Sequence, residues 1–173
     1  TGPVILNDVH GLQNSAMLKY LSGKKDIDVI LMANESQLPG DQTPKRLNSS
    51  PAKTVYDLLK QAIDRAFEAG LSKDQLILDP GIGFFRNTGI SWSEFDTELL
   101  RNLEFFAELG HPLLVSASRK SFIGEILGRK NPDDRLAGSL AAAMLCLDQG
   151  VSIIRTHDVA EAADLIKFRE LFY

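Results

Sequence analysis

Asp79 opens the run Asp79-Pro80-Gly81-Ile82-Gly83-Phe84, directly behind the apolar residues Leu76, Ile77 and Leu78. An ionised carboxylate only accepts hydrogen bonds, so Asp79 could take a pair of N–H donors from an amino-substituted ring. Asn7, which follows the apolar residues 4–6, can both donate and accept against a ring edge. Together they suit the guanidine-like face of a flat heterocycle. Gly81 and Gly83 permit a positive φ or a close backbone approach, which lets such a ring lie against the turn. The cations stand elsewhere: Arg119 and Lys120 in Ser118-Arg119-Lys120-Ser121, and Arg155 in Arg155-Thr156-His157-Asp158. Ser121 lies at the start of a short helix expected over residues 122–127, whose free N–H groups favour negative charge, so a phosphate or carboxylate belongs there.

Several of these residues also have plainer roles. Asp158 fits a helix N-cap and Asp8 a loop turn; alone, Arg119-Lys120 would be a solvated pair and Asp-Pro-Gly a simple turn. His111, before Pro112 at the amino end of a strand, reads as structural, and so does His10. Ser118, His157 and Asp79 could be drawn as a catalytic triad, but no G-x-S-x-G elbow is present and the cations beside Ser118 suit an anion better. The histidines are not at zinc-ligand spacing, and no Walker loop or G-x-G-x-x-G fingerprint appears.

The elements that must position these groups alternate regularly. Short apolar runs at residues 4–6, 29–32, 76–78, 113–115 and 153–154 read as buried parallel strands. Ser50-Pro51 offers an N-cap and an N1 proline to a helix lined by Val55, Leu58, Leu59, Ala62, Ile63 and Ala66 and closed by Gly70. A second helix is expected from Glu94, capped by Ser93, through Leu99, Leu103 and Phe106 to Gly110. A third is expected from near Asp133 to Gly150, and a fourth opens on Asp158 and Glu161 at capping-box spacing. Shorter helices follow the first and fourth strands. Residues 34–50 and 84–92 read as loops.

Strand and helix in alternation give an α/β protein with a parallel sheet under helices. At about 35 residues per unit, eight units would need about 280, the size of a (β/α)₈ TIM barrel, of which this chain holds five. An open doubly wound sheet is the alternative. Ligands then bind at the carboxyl ends of the strands, where Asn7, Asp79, Ser118 to Ser121 and Arg155 to Asp158 fall. The 173 residues, 44% hydrophobic and 24% charged with a net charge of -4, carry no basic stripe for nucleic acid and no apolar stretch of membrane-spanning length. A lone Cys146 on an apolar helix, with no secretory signal, points to a reducing, cytoplasmic setting.

Taken in order, Ile5-Leu6-Asn7-Asp8-Val9, Leu31-Met32, Ile77-Leu78-Asp79-Pro80-Gly81-Ile82-Gly83-Phe84, Ser118-Arg119-Lys120-Ser121 and Arg155-Thr156-His157-Asp158-Val159 resemble the successive motifs of the dihydropteroate synthase family. The resemblance implies one pterin-binding barrel domain over residues 1–173, equivalent to strands four to eight and lacking the N-terminal βα units. It implies condensation of dihydropterin pyrophosphate with p-aminobenzoate, giving dihydropteroate and pyrophosphate in folate biosynthesis, with Mg²⁺ and a homodimeric assembly. Asn7, Asp79 and Lys120 would hold the pterin, with Met32, Gly83 and Phe84 shaping its slot. Ser118 and Arg119 would face p-aminobenzoate, while Arg155 and His157 would bind the pyrophosphate. Lys120, Arg155 and His157 would be the catalytic groups; no residue of this chain would be a metal ligand, the family's magnesium-associated asparagine belonging to the N-terminal part.

The chain departs from that family pattern in places. Ala33 stands where a histidine is usual, Ser116 where a glycine is, and Phe85-Arg86 replaces Gly-Lys, followed by an unusual stretch over residues 87–93. Two other readings remain open on the sequence: a pterin-binding remnant without catalysis, and a pterin-dependent methyltransferase on the related barrel.

Overall fold

Ser50 starts the longest helix as the spacing predicts. Its hydroxyl accepts from the Lys53 N–H at 3.3 Å, Pro51 needs no N–H partner at the first position, and α2 (Pro51–Glu68) follows. The apolar stripe of α2 is buried, Val55, Leu59 and Ala66 completely, against the outer face of a parallel sheet. The computed structural model describes residues 4–41, 44, 45 and 47–172; residues 42, 43 and 46 of the loop expected over 34–50 lie outside the described residues.

The strands are β1 (Val4–Asp8), β2 (Ile27–Met32), β3 (Leu76–Asp79), β4 (Leu114–Val115) and β5 (Ile153–Ile154), at the predicted places. All pairings are parallel. β1, β2 and β3 form one ladder, β4 and β5 a second, and a bridge between Leu78 and Leu113 joins them. Spatial order therefore follows chain order from β1 to β5. A doubly wound sheet reverses direction at a switch point, whereas a barrel winds one way round. This continuous winding decides between the two architectures: the chain contains five βα units of a (β/α)₈ barrel.

Register then sorts the side chains. Val29 and Leu31 stand beside Leu76 and Leu78, all fully buried under the helices. By alternation the other face carries Asn7, Ile30, Ile77, Met32 and Asp79, with Asn7 paired to Ile30 and Met32 to Asp79. That face is the barrel interior.

The remaining helices are α1 (Ser15–Leu21), α3 (Trp92–Arg101), α4 (Ser121–Leu127), α5 (Leu136–Asp148) and α6 (Val159–Arg169). Three differ from expectation. The helix predicted over residues 94–110 begins two residues earlier and breaks at Asn102, whose side chain donates back to the Glu98 carbonyl at 2.8 Å. The next donor, Leu103 N–H, goes to Gln149 Oε1 at 2.9 Å rather than into an α-helix, and the chain continues as 3₁₀ turns over Leu103–Leu109 to Gly110. The predicted stripe survives the break, with Leu99, Leu103 and Phe106 all buried. α5 starts at Leu136, because Pro132–Arg135 form a 3₁₀ turn capped by Asn131. The expected capping box of α6 does not form: Asp158 occupies the N-cap position, but its carboxylate is turned to Arg119. Asp8 behaves as the turn residue expected, accepting from the N–H groups of His10 and Leu12 at 3.2 and 2.6 Å. Among the described residues, no helix is long and apolar enough to cross a membrane.

Candidate active site

The backbone after β3 turns back on the end of β2. Ala33 N–H donates to the Asp79 carbonyl at 3.0 Å, continuing the ladder, and Gly81 at φ +73° passes so close that a Cβ there would stand 1.9 Å from the Ala33 oxygen. Only glycine satisfies both demands. The turn fixes the Asp79 carboxylate in the interior, 2% exposed, with Oδ1 accepting the Gly81 N–H at 2.8 Å. Oδ2 is buried and has no hydrogen-bond partner among the described residues; the Arg155 guanidinium stands 4.0 Å from it. Burial holds the Asp79 carboxyl above its usual range, even though the Gly81 N–H and the charges of Arg155 and Lys120 pull it down. A buried acceptor facing the barrel mouth is ready for a ligand's N–H donor.

Lys120 reaches the same place from the β4 side. Its ammonium lies 4.7 Å from the centre of the Phe84 ring, and a Cβ on Gly83 would come within 3.2 Å of its Cδ and Nζ. Burial lowers the Lys120 pKa, while Asp79 and Asp96 favour its charged form. Met32, 1% exposed, sits beside Asp79 in the register, and Asn7 lies one row below it, exposed on β1. The structure thus brings Asn7, Met32, Asp79, Gly83, Phe84 and Lys120 to one side of the mouth.

The other side gathers Ser118, Arg155 and His157. Ser118 Oγ is 3.0 Å from His157 Nδ1 and accepts the His157 backbone N–H at 3.2 Å, so one hydroxyl orients the ring and its peptide together. No carboxylate hydrogen-bonds the His157 ring among the described residues, and the one hydrogen bond that Asp79 makes there goes to the Gly81 N–H. The pair is therefore not part of a Ser–His–Asp relay.

Arg119 is placed differently from the expectation. Its Nε and Nη2 both bind the Asp158 carboxylate, Nε at 3.1 Å, and Nη1 binds Asp133. The hydrogen bond to Asp158 holds the guanidinium pKa up and, in return, the Asp158 carboxyl down. The backbone of Arg119 has φ +56°, secured by its N–H to Ser139 Oγ at 2.8 Å and its carbonyl to Arg135 at 2.9 Å. Two carboxylates occupy this guanidinium, so its charge is spent within the protein.

Three contributors were not among the site residues expected from the sequence, although Glu35 follows the second apolar run and Arg86 marks a departure from the family pattern. Asp96, fully buried on α3, accepts the Gly83 N–H at 2.7 Å, and its second oxygen has no partner among the described residues. Burial raises this carboxyl to about 6. The available signal was one carboxylate spaced three, four and seven residues before Leu99, Leu100 and Leu103 on an apolar stripe. Glu35 ties the loop after β2 to the loop after β3, accepting the Arg86 and Asn87 N–H groups at 2.6 and 2.7 Å. Burial would raise the Glu35 carboxyl, but these N–H donors hold it below its usual value. The third is Arg86 itself, whose Nη2 donates to Ser121 Oγ at 2.8 Å.

Fold and site together define a (β/α)₈-type barrel with a buried, unpartnered acceptor beside a rim of cations. Residues 1–157 match the family described as pterin binding enzyme, and the chain belongs to that family. The dihydropteroate synthase of Escherichia coli (strain K12) is 34% identical over 98% of this chain and 57% of its own length. The crystal structure of the Stenotrophomonas maltophilia dihydropteroate synthase superposes with a TM-score of 0.85 at 31% identity, covering 97% of this chain and 61% of that one. The Xanthomonas albilineans enzyme, solved in complex with 7,8-dihydropteroate, gives 0.83 at 32% identity over 97% and 58%. The chain spans somewhat more than half the length of these relatives.

Proposed function

We propose that this chain carries the pterin and leaving-group sites of a dihydropteroate synthase, joining p-aminobenzoate to dihydropterin pyrophosphate. The observation that carries the reading is the buried, unpartnered Oδ2 of Asp79, set between Lys120 and Arg155. An acceptor left without a partner costs about 1–3 kcal/mol, which a ligand N–H would recover. Asp79 and Asn7 bind the guanidine-like edge of the pterin, Lys120 binds its polar rim, and Met32 and Phe84 enclose the ring.

In the reaction, the arylamine nitrogen forms a bond to the pterin methylene carbon as the carbon–oxygen bond to pyrophosphate breaks, and the nitrogen then loses a proton. Arg155 and His157 take the negative charge of the departing pyrophosphate, and Ser118 holds His157 in place. Positioning and electrostatics suffice, without a protein nucleophile. Among the described residues no three His, Cys, Asp or Glu side chains converge into a metal site. Magnesium is proposed to accompany the substrate's phosphates, where it would neutralise part of their charge. We place the protein in the cytoplasm, consistent with a single buried thiol at Cys146, and propose that it is a homodimer.

Lys120→Ala is expected to weaken pterin binding at least about tenfold by titration calorimetry, given the worth of a charge-assisted hydrogen bond; unchanged affinity would remove Lys120 from the pocket. Pyrophosphate release from dihydropterin pyrophosphate that depends on p-aminobenzoate establishes the synthase reaction. Binding without release supports the remnant reading.

A further inference from the structure

The arylamine of the proposed reaction carries a carboxylate, and the cations around the mouth are not equally free to receive it. Arg119 is taken by Asp158 and Asp133, and Arg155 faces Asp79. Arg86 has no carboxylate at ion-pair distance from its guanidinium among the described residues. Its side chain is nevertheless fixed from three directions. Nε donates to the Gly83 carbonyl at 3.0 Å, Nη2 to Ser121 Oγ at 2.8 Å, and the guanidinium lies 4.5 Å from the centre of the Trp92 ring. Nη1 carries no hydrogen bond among the described residues and the side chain is exposed.

Lys120 stands close by. The point where a Gly83 Cβ would sit is 3.2 Å from Lys120 Nζ and 3.5 Å from Arg86 Nη2, so two cations flank one glycine. Holding like charges together costs energy unless an anion or nearby carboxylates compensate; Asp79 and Asp96 serve Lys120 from within, Asp96 and Glu35 act on Arg86 only from beyond ion-pair distance, and the outer side is open. A planar guanidinium already held by packing gives a carboxylate a pair of donors with little further ordering.

We propose that Arg86 receives the carboxylate of the arylamine and sets the preference for p-aminobenzoate over uncharged anilines. The inference rests on the synthase reading above and assigns to Arg86 the part that the sequence led one to give Arg119. With the pterin seated between Asp79 and Lys120, the amine points to the pterin methylene and the carboxylate outward to the rim, where Arg86 stands.

The test uses a complex that cannot react: the chain saturated with oxidised 6-hydroxymethylpterin and magnesium pyrophosphate, titrated with p-aminobenzoate and with neutral p-aminobenzamide. Wild type should prefer the carboxylate. Arg86→Met should weaken p-aminobenzoate about tenfold to a hundredfold, the worth of charge-assisted hydrogen bonds, while p-aminobenzamide and the pterin bind as before. Arg86→Lys, which keeps the charge and loses the fork, should fall between. Equal losses for both anilines, no loss for either, or wild-type binding of pterin without p-aminobenzoate would overturn the assignment of Arg86. Failure of wild type to bind the pterin at all would overturn the synthase reading, and this inference with it.

Discussion

At the scale of single residues, the site is built from groups whose burial conflicts with their charge. Asp96 is the clearest case. Burial raises its carboxyl from 3.8 to about 6, although it accepts the Gly83 N–H and faces Arg86 and Lys120. A folded-state pKa above the unfolded one means that the protonated form is the better folded. The stability this residue contributes is therefore complete below about pH 4 and is lost as the pH rises to about 6, a change of at most about 3 kcal/mol. Asp96→Asn keeps an acceptor for Gly83 and removes the titration. Urea midpoints measured from pH 4 to 8 should decline through that window more steeply in wild type than in the variant, and parallel profiles would show that Asp96 does not titrate there. The residue types at the mouth were legible in the sequence because each follows an apolar run. Asp96 was not, because its partner Gly83 lies 13 residues earlier in the chain and the contact exists only once α3 packs under the turn.

At the scale of elements, the turn after β3 is locked to the end of β2 by the absence of a side chain at Gly81. Gly81→Ala must relieve both a positive φ and a contact with the Ala33 carbonyl, and is expected to cost about 2–4 kcal/mol. Gly70→Ala provides the comparison, since Gly70 has φ +85° but nothing near its Cβ position, so only the backbone cost of about 1 kcal/mol applies. Equal losses in the two variants, measured by chemical denaturation, would show that the close approach to β2 does not matter. The same contrast between local and distant causes explains which elements could be read beforehand. The start of α2 is set within Ser50, Pro51 and Lys53, and it was predicted correctly. The break at Asn102 depends on Gln149, 46 residues away from Leu103, and the diversion of the Asp158 cap depends on Arg119, 39 residues away. Neither partner is visible to a rule of local spacing.

At the scale of the whole molecule, strand order follows chain order, so five strand ends spread along the chain meet at one mouth while the helices form an outer wall. That wall is not uniformly polar. Ile126 and Leu127 on α4 and Leu145 on α5 are 61%, 50% and 56% exposed, beside a groove lined by Phe122, Ile123 and Ala142. In the proposed dimer, this apolar surface would be the face covered by a second copy of the chain. The sequence concealed this face, because the same leucines and isoleucines satisfy a buried stripe until neighbouring helices are in place. Wild type should sediment at twice the chain mass at micromolar concentration. Leu145→Glu would place a charge in the centre of the interface, where desolvation without a partner is costly, and should raise the dimer dissociation constant at least about tenfold. The circular dichroism spectrum and melting of the monomer should be preserved, because Leu145 lies outside the folded core. A wild-type mass equal to one chain would refute the dimer, and a Leu145→Glu variant as dimeric as wild type would move its interface to another face.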